Sequence, residues 1–268
     1  MSALISADPL SGRAGRRLCA AVPRWYHADL RRVGVFGDLG QMATIRAGFA
    51  SPTDEGVTLA DMIHTVTSAG VASSRRVRAI YDNLDRLGAI TSRSMASDRR
   101  RRPFRIGSWL EAALVDWLSI WIDAARPWLT TQPVADRETL STVFCFFSDA
   151  LRKAAFYPGI TFPEVRFFLE RAAGYPILME VTGYLGDSMN EGAAMLVSRK
   201  GLARSYGLSR PHIAGLLAAA EARGWFSFPH GRQELTVARA TRERLLQWPV
   251  REIAWIVLAL EHRMIAVK

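Results

Sequence analysis

The sequence predicts a mainly α-helical protein with small β elements, and three observations support this fold class. Apolar residues recur at helical spacing, as Leu110, Leu114, Trp117 and Trp121 do along one stretch. Glycines follow several such stretches, where helices commonly end. One order of short helices and short strands also occurs twice within the 268 residues, a length sufficient to bury a sizeable core.

The first copy of this order starts with two helices joined by a tight turn. The apolar spacing of residues 57–63 predicts a short helix, and the turn Ser68-Ala69-Gly70 ends it, because glycine tolerates the positive φ that such a corner needs. The second helix begins at Ser73 or Ser74, either of which can cap the free N–H groups of its first turn. Gly88 ends this helix.

A two-stranded hairpin is predicted directly after the second helix. Its strands are residues 89–92 and 104–106, and the basic run 99–102 forms its tip. Helix, turn, helix and two-stranded wing, in this order, predict a winged helix-turn-helix module.

The second copy begins with a short helix over residues 200–207. Ser209 then caps a further helix, which Gly224 closes. Ser209 and Gly224 follow Ser73 and Gly88 by the same 136 residues, which favours a true internal repeat. Strands are predicted at residues 225–228 and 234–237, with the wing tip at residues 230–232 between them.

Long amphipathic helices between and after the two modules complete the predicted organisation. We expect two winged helix-turn-helix modules joined by a helical body, an arrangement that resembles a fused pseudo-dimer. The predicted parts are a flexible N-terminal segment (1–20), a first winged-helix module (21–107), a central helical body (108–160), a second winged-helix module (161–247) and a C-terminal helix packing on the body (248–268).

The charge of the chain is concentrated in two stretches. The sequence has 35 basic and 25 acidic residues, a net charge of +10. Residues 73–105 contain ten arginines and three acidic residues, a net +7, and residues 198–244 contain nine basic and three acidic residues, a net +6. Two basic stretches on an otherwise nearly neutral chain are typical of two nucleic-acid contact regions.

The predicted DNA contacts lie at the starts of the second helices and in the wings. Such a helix fits the major groove, whose base edges distinguish all four base pairs, and wing arginines suit the negative potential of the minor groove. The candidate residues are Ser73, Ser74, Arg75, Arg76, Arg78, Arg99, Arg100, Arg101, Arg102, Arg105, Ser209, Arg210, His212 and Arg232. Because the two helices differ in sequence, we expect an asymmetric duplex site.

Common enzyme and metal signatures do not occur in the sequence. The five histidines are scattered, and there is neither a Gly-x-Ser-x-Gly elbow nor a phosphate-binding Gly-x-x-x-x-Gly-Lys run. Cys19 and Cys145 are the only cysteines, so a disulfide scaffold and a four-thiolate zinc site are excluded. We therefore expect a protein that is not an enzyme and needs neither a cofactor nor a metal.

Hydropathy predicts a chain without a membrane span. The longest apolar run, Ile253–Leu260, is far shorter than the roughly 20 residues that a spanning helix needs. The N-terminus also lacks the long apolar stretch of a secretory signal. A cytoplasmic, nucleoid-associated protein is the expectation.

The wing residues resemble those of one family, the MarR-type winged-helix transcriptional regulators. Asp98-Arg99-Arg100 fits that family's Asp-x-Arg wing pattern, and Phe104 and Ile106 fit the alternating apolar residues of its return strand. In the second module, His230-Gly231-Arg232 keeps the arginine and has His in place of Asp. The chain looks like a tandem fusion of two protomer-like repeats of this family.

The resemblance implies a repressor or activator that binds double-stranded DNA. It also implies a small aromatic effector, bound in a crevice between the body and the DNA-contacting modules. Family members are homodimers, so the fused chain is expected to be a monomeric pseudo-dimer or to form a homodimer.

Two other classes of binding protein stay open. Tandem winged helices also serve as adaptors or architectural proteins that bind protein partners, or DNA without sequence specificity. The charge of +7 within one helix and wing favours the regulator. An RNA-binding protein is a weaker alternative, because no interleaving of aromatic and basic residues suited to base stacking is evident.

Overall fold

The computed structural model describes residues 8–49, 57–92, 104–152, 162–187, 195–229 and 234–266. These residues form a mainly helical protein with small antiparallel sheets, which confirms the coarse fold class that the sequence predicted. Close contacts divide the chain into two units. Unit 1 comprises Met1–Val33 and Pro158–Trp255, and unit 2 comprises Gly34–Tyr157 and Ile256–Lys268.

The described elements have the following bounds in chain order. The helices are α1 (Pro9–Ala28), α2 (Arg31–Phe36), α3 (Leu39–Phe49), α4 (Leu59–Ser68), α5 (Ser74–Arg86), α6 (Ser108–Ala125), α7 (Arg137–Arg152), α8 (Pro163–Leu169), α9 (Gly174–Asp187), α10 (Arg199–Ser205), α11 (Arg210–Glu221) and α12 (Arg239–Ala266). The strands are β1 (Ile90–Ser92), β2 (Phe104–Ile106), β3 (Met195–Leu196), β4 (Phe226–Ser227) and β5 (Glu234–Val237).

A small sheet follows the helix pair α4–α5 in unit 2. β1 pairs antiparallel with β2, so that Ile90 lies opposite Ile106, and Val57 forms a bridge to Phe104 on the other side of β2. Val57, Ile90 and Phe104 are buried, so the sheet contributes to the core of this unit. Both strands lie where the sequence predicted them.

The core of unit 2 is rich in aromatic residues from α2, α6 and α7. The ring centroids of Phe36 and Trp117 are 5.5 Å apart, and those of Trp117 and Phe144 are 6.0 Å apart. All three side chains are buried. The aromatic stripes of α6 and α7 are therefore packing residues of a hydrophobic core, as their helical spacing indicated.

Unit 1 contains a three-stranded sheet after its own helix pair, α10–α11. β5 lies between β3 and β4, with Leu235 opposite Met195 and Val237 opposite Phe226. The strands β4 and β5 fall within the two segments that the sequence predicted. At the end of α10, Tyr206 donates a 2.6 Å hydrogen bond to Glu180, and burial together with that carboxylate raises the pKa of Tyr206.

The second helix of each pair begins and ends as the sequence predicted. The hydroxyls of Ser73 and Ser209 each accept a 3.3 Å hydrogen bond from the N–H group three residues later. Gly88 and Gly224 follow the two helices with φ of +63° and +69°, a conformation that glycine adopts without strain.

The two units repeat one order of elements. In unit 2 the order is α3, the Val57 bridge, α4, α5, β1, β2 and α6, and in unit 1 it is α9, β3, α10, α11, β4, β5 and α12. The buried residues of α5 and α11 also correspond at the shift of 136, as the pairs Val77 and Ile213, Ile80 and Leu216, and Leu84 and Ala220.

Residues 9–20 are helical, unlike the flexible segment predicted for residues 1–20, and residues 1–7 lie outside the described residues. Helix α1 starts at Pro9, where the Asp8 carboxylate accepts a 2.8 Å hydrogen bond from the N–H of Leu10. Cys19 and Val22 are buried along the helix. Packing in unit 1 rather than local sequence orders this segment, because α1 lies close against α9, 160 residues away along the chain.

Helix α12 is longer than the C-terminal helix predicted for residues 248–268. It begins at Arg239 and continues through Pro249, so the predicted boundary between residues 247 and 248 lies inside one helix. A proline in a helix removes one backbone hydrogen bond. Burial of Trp248, Val250 and Ile253 on either side of it offsets that loss.

Candidate nucleic-acid interface

The first group of candidate residues lies on the helix pair α4–α5 of unit 2. We call this pair with its connecting turn a corner, and its local structure is well defined. Thr58 and Asp61 cap the start of α4 reciprocally, and Gly70 turns the chain after it with φ of +66°. Val77 and Ile80 bury one side of α5. The opposite side of α5 is therefore held facing solvent in a defined orientation.

Arg75 and Arg78 lie on this solvent-facing side. Both side chains are exposed, and neither has a hydrogen bond or an ion pair with any described residue. A spacing of three residues places them as neighbours on one helix face. They form an outward pair of guanidinium groups near the start of the second helix, as the sequence predicted.

Arg76, a third predicted contact, forms an ion pair within its own unit. Its guanidinium forms a 2.6 Å ion pair with Asp38, whose side chain is only 4% exposed while that of Arg76 is 51% exposed. The same carboxylate accepts a 2.9 Å hydrogen bond from the N–H of Gln41. Arg76 thus links the starts of α5 and α3 while its side chain stays half exposed, and its assignment as a DNA contact stays a prediction.

The other candidates around this corner have varied environments. Ser73 uses its hydroxyl as the helix cap, and Ser74 is exposed as the first residue of α5. Arg105 is exposed on β2, opposite Thr91, and has an interaction within the protein. The wing arginines Arg99, Arg100, Arg101 and Arg102 lie outside the described residues, as does Arg232 of the second module.

Among the described residues, the corresponding helix pair α10–α11 in unit 1 has one outward cation from the predicted set. Arg210 is exposed and has no partner among the described residues, whereas Ser209 serves as the helix cap. His212 is half-buried, and its Nε2 lies 3.1 Å from the carbonyl oxygen of Ala172. His212 thus has a contact within unit 1, and its role in DNA binding stays a prediction.

The first helix of the unit 1 pair presents two cations that the sequence analysis missed. Lys200 and Arg204 of α10 are exposed, have no partner in the described part of the chain and lie four residues apart, on one face. Leu202 and Ala203 bury the other side of this helix. Two basic residues four positions apart, on a helix capped by Ser198, were the sequence pattern that could have indicated this basic face.

Most other basic residues of the second charged stretch have partners inside unit 1. Arg244 pairs with buried Glu164 at 2.6 Å, and Arg242 donates to the Leu185 carbonyl at 3.0 Å. Arg223 donates to the Ala219 carbonyl. The net charge of +6 therefore overestimates how many cations this stretch offers to a polyanion.

The outward side of α11 differs from that of α5. Pro211, Ala214 and Ala218 occupy the positions that correspond to Arg75, Arg78 and Asp82 at the shift of 136 residues. None of these three side chains has a hydrogen-bond donor. The candidate base contacts on helices are thus concentrated in unit 2, and the cations of unit 1 lie mainly on its first helix.

The described residues contain no three His, Cys, Asp or Glu side chains placed to hold a metal ion together. Within the same residues, no helix has the length and apolar character needed to cross a membrane. Comparison with known proteins gave no matching family model, curated protein or solved structure. The function is therefore inferred from the geometry of the two corners.

Proposed function

We propose that this protein is a DNA-binding transcriptional regulator with two winged helix-turn-helix modules, similar to a fused pair of MarR-type protomers. The observation that carries the proposal is the outward pair Arg75 and Arg78 near the start of α5. Helix α5 is the second helix of its pair, the position from which recognition helices enter the major groove. The β1–β2 hairpin after it is connected through the run of four arginines, 99–102.

The two modules have unequal roles in this proposal. Arginine can donate two hydrogen bonds to one guanine, so Arg75 and Arg78 are suited to base recognition in the major groove. Lys200 and Arg204 lie on the first helix of the unit 1 pair, which crosses the DNA backbone in this class of module. They and Arg210 are suited to phosphates, so the whole chain recognises an asymmetric site.

The test compares arginines at the two ends of α5. Duplexes are first selected from a random pool by the full-length protein, and affinities are then measured by fluorescence anisotropy. We expect Arg75→Ala and Arg78→Ala each to weaken binding to the selected duplex about tenfold, because a base contact contributes about 1–3 kcal/mol. Binding to a random duplex should weaken less.

Arg86→Ala is the matched control, because it removes the same charge at the far end of α5, where Arg86 bonds to Asn83. Its selected-duplex affinity should stay within about twofold of the wild type. Equal losses on selected and random duplexes for Arg75→Ala and Arg78→Ala would contradict base recognition.

One observation favours a different class, an architectural or adaptor protein. The outward side of α11 has small residues, and a Cβ added at Gly215 would meet no atom within 4 Å. Such a smooth face is suited to close packing against a partner. A random pool that yields no enriched duplex, while binding stays salt-dependent, would support an architectural protein.

A further inference from the structure

Helix α1 of unit 1 carries exposed arginines that belong to neither helix pair and to neither wing. Arg13, Arg16, Arg17 and Arg24 are exposed along it, and residues 9–28 contain no acidic side chain. At 3.6 residues per turn, the four arginines fall within an arc of about 100° around the helix. We call these four residues the α1 arginine strip.

The opposite side of α1 is fixed in the core of unit 1. Leu18, Val22 and Tyr26 are buried, and the helix packs closely along α9. Asp8 caps the first turn of the helix. The strip therefore faces solvent on a helix that is held in place, so a partner that binds it has to order side chains only.

The four guanidinium groups have few contacts inside the protein. Arg24 donates a 3.0 Å hydrogen bond to the carbonyl oxygen of Ala20, one turn earlier on the same helix. Arg13, Arg16 and Arg17 form neither a hydrogen bond nor an ion pair with a described residue. Neighbouring like charges on a helix repel one another, and a bound anion relieves that repulsion. The strip is therefore suited to a polyanion.

The C-terminal end of α1 lies against the corner formed by α10 and α11. The ring centroids of His27 and Tyr206 are 4.9 Å apart. A Cβ added at Gly207, in the turn of this corner, would lie 3.7 Å from the Leu30 Cδ1 just after α1. His27 follows Arg24 by three residues and lies within the same arc of the helix. The strip thus begins near the corner that has the outward cations of unit 1.

We propose that the α1 arginine strip binds the phosphate backbone of duplex DNA next to the site that the two corners contact. From Arg13 to Arg24 the helix rises about 17 Å, the length of about five base pairs, so the strip can reach several phosphates. The inference rests on the proposed function for the identity of the polyanion. It adds a surface that contributes affinity without sequence preference.

An anionic membrane is the other extended surface that a basic helix face can bind. The structure favours DNA, because the apolar side of α1 is buried in unit 1 and is not available to enter a bilayer. The contact between the end of α1 and the α10–α11 corner also favours DNA, since both surfaces then follow one duplex.

The experiment compares two duplexes with the full-length protein. The first is the segment selected from a random pool, and the second adds about one helical turn of random sequence at each end. Affinities are measured by fluorescence anisotropy at several salt concentrations. We expect the wild type to bind the extended duplex about five- to tenfold more tightly, because additional phosphates are neutralised.

Two substitutions in the strip locate this gain. Arg13→Gln and Arg17→Gln should each reduce the slope of log affinity against log salt by about 1 on the extended duplex. The double variant should lose the gain from the added ends while keeping its affinity for the short duplex within about twofold. Both positions are exposed and glutamine is a good helix former, so circular dichroism should be unchanged.

Arg166→Gln is the matched control for the single variants. It removes one exposed arginine of unit 1 from a different helix, α8, where Arg166 pairs with Glu170. Its salt slope and its affinity for the extended duplex should equal those of the wild type.

Three results would overturn the inference. The wild type could bind both duplexes equally, or the double variant could match Arg166→Gln on the extended duplex. Alternatively, the strip variants could lose binding to vesicles of phosphatidylcholine and phosphatidylglycerol in equal parts while keeping their duplex affinity, which would assign the strip to a membrane.

The failure of this inference is distinguishable from that of the proposed function. If the wild type selects a duplex and the strip variants bind it as the control does, only the inference about α1 is wrong. If the pool yields no enriched duplex, random duplexes of the same two lengths test the strip, since backbone contacts do not require sequence recognition. If no duplex binds at all, both proposals are wrong.

Discussion

Where unit 2 presents Arg78 to solvent, unit 1 has Ala214, although the preceding residues, Val77 and Ile213, are both buried. The two helices therefore share the apolar positions that dock them and differ in the positions that face outward. Packing constrains the first set, because removing buried methyl groups costs stability. The outward positions are free to change, so two helices with the same packing positions can present different surfaces to solvent.

The two units also differ in how they use one inward position. Arg76 and His212 are third in their helices and correspond at the shift of 136. Each contacts the residues just before the helix that precedes its pair, which is α3 in unit 2 and α9 in unit 1. In unit 2 the partner is the buried carboxylate of Asp38, and in unit 1 it is the Ala172 carbonyl. The contact from the start of the second helix is thus an ion pair in unit 2 and a contact with a backbone carbonyl in unit 1.

The largest effect is expected from breaking the most buried ion pair among the described residues of unit 1. Glu164 is 1% exposed and bonds to Arg244, so Arg244→Met leaves a buried carboxylate without its cation. Unfolding free energy should fall by about 3–5 kcal/mol, measured by urea denaturation followed by tryptophan fluorescence. Arg76→Met in unit 2 should cost less, because Arg76 is more exposed than Arg244.

Arg239→Met provides the reference for this comparison. Its ion pair with Glu243 is exposed on both sides, so the variant should stay within about 0.5 kcal/mol of the wild type. A loss at Arg244 no greater than at Arg239 would contradict the view that unit 1 uses its cations internally.

The unequal roles proposed for the two helix pairs predict different salt dependences. Lys200→Ala and Arg204→Ala should weaken selected and random duplexes equally, because a phosphate contact has no sequence preference. Each should reduce the slope of log affinity against log salt by about 1. Anisotropy titrations at several salt concentrations measure both quantities, and a loss confined to the selected duplex would assign these residues to bases instead.

The extents of α5 and α11 were predictable because their determinants are local. In each helix a serine cap, apolar residues at helical spacing and a glycine with positive φ all lie within about 16 residues. Each of these features determines the conformation of the backbone near it. The exposure of Arg75 and Arg78 followed from the helical spacing of the apolar residues, since Val77 and Ile80 define the buried side of α5.

Features that depend on distant partners were not predictable in this way. Helix α1 is ordered against α9, where Cys19 lies beside Gly183, and no local pattern indicates that contact. The inward direction of Arg76 and His212 depends equally on where Asp38 and Ala172 lie in the folded units. Charge counted along the sequence could not separate cations that have internal partners from those that face solvent.

The smallest expected effect is that of a substitution at Gly215, which tests whether the outward side of α11 contacts DNA. Gly215 corresponds to Ala79 of α5, and its added Cβ would lie in open space. Gly215→Ala should therefore raise the unfolding free energy by about 0.5–1 kcal/mol, and Ala79→Gly should lower it by a similar amount. If unit 1 binds DNA only through phosphates, Gly215→Ala should leave the affinity for the selected duplex unchanged. A stabilised Gly215→Ala variant with weakened duplex binding would instead mean that α11 approaches DNA closely, and the contrast between the two corners would have to be abandoned.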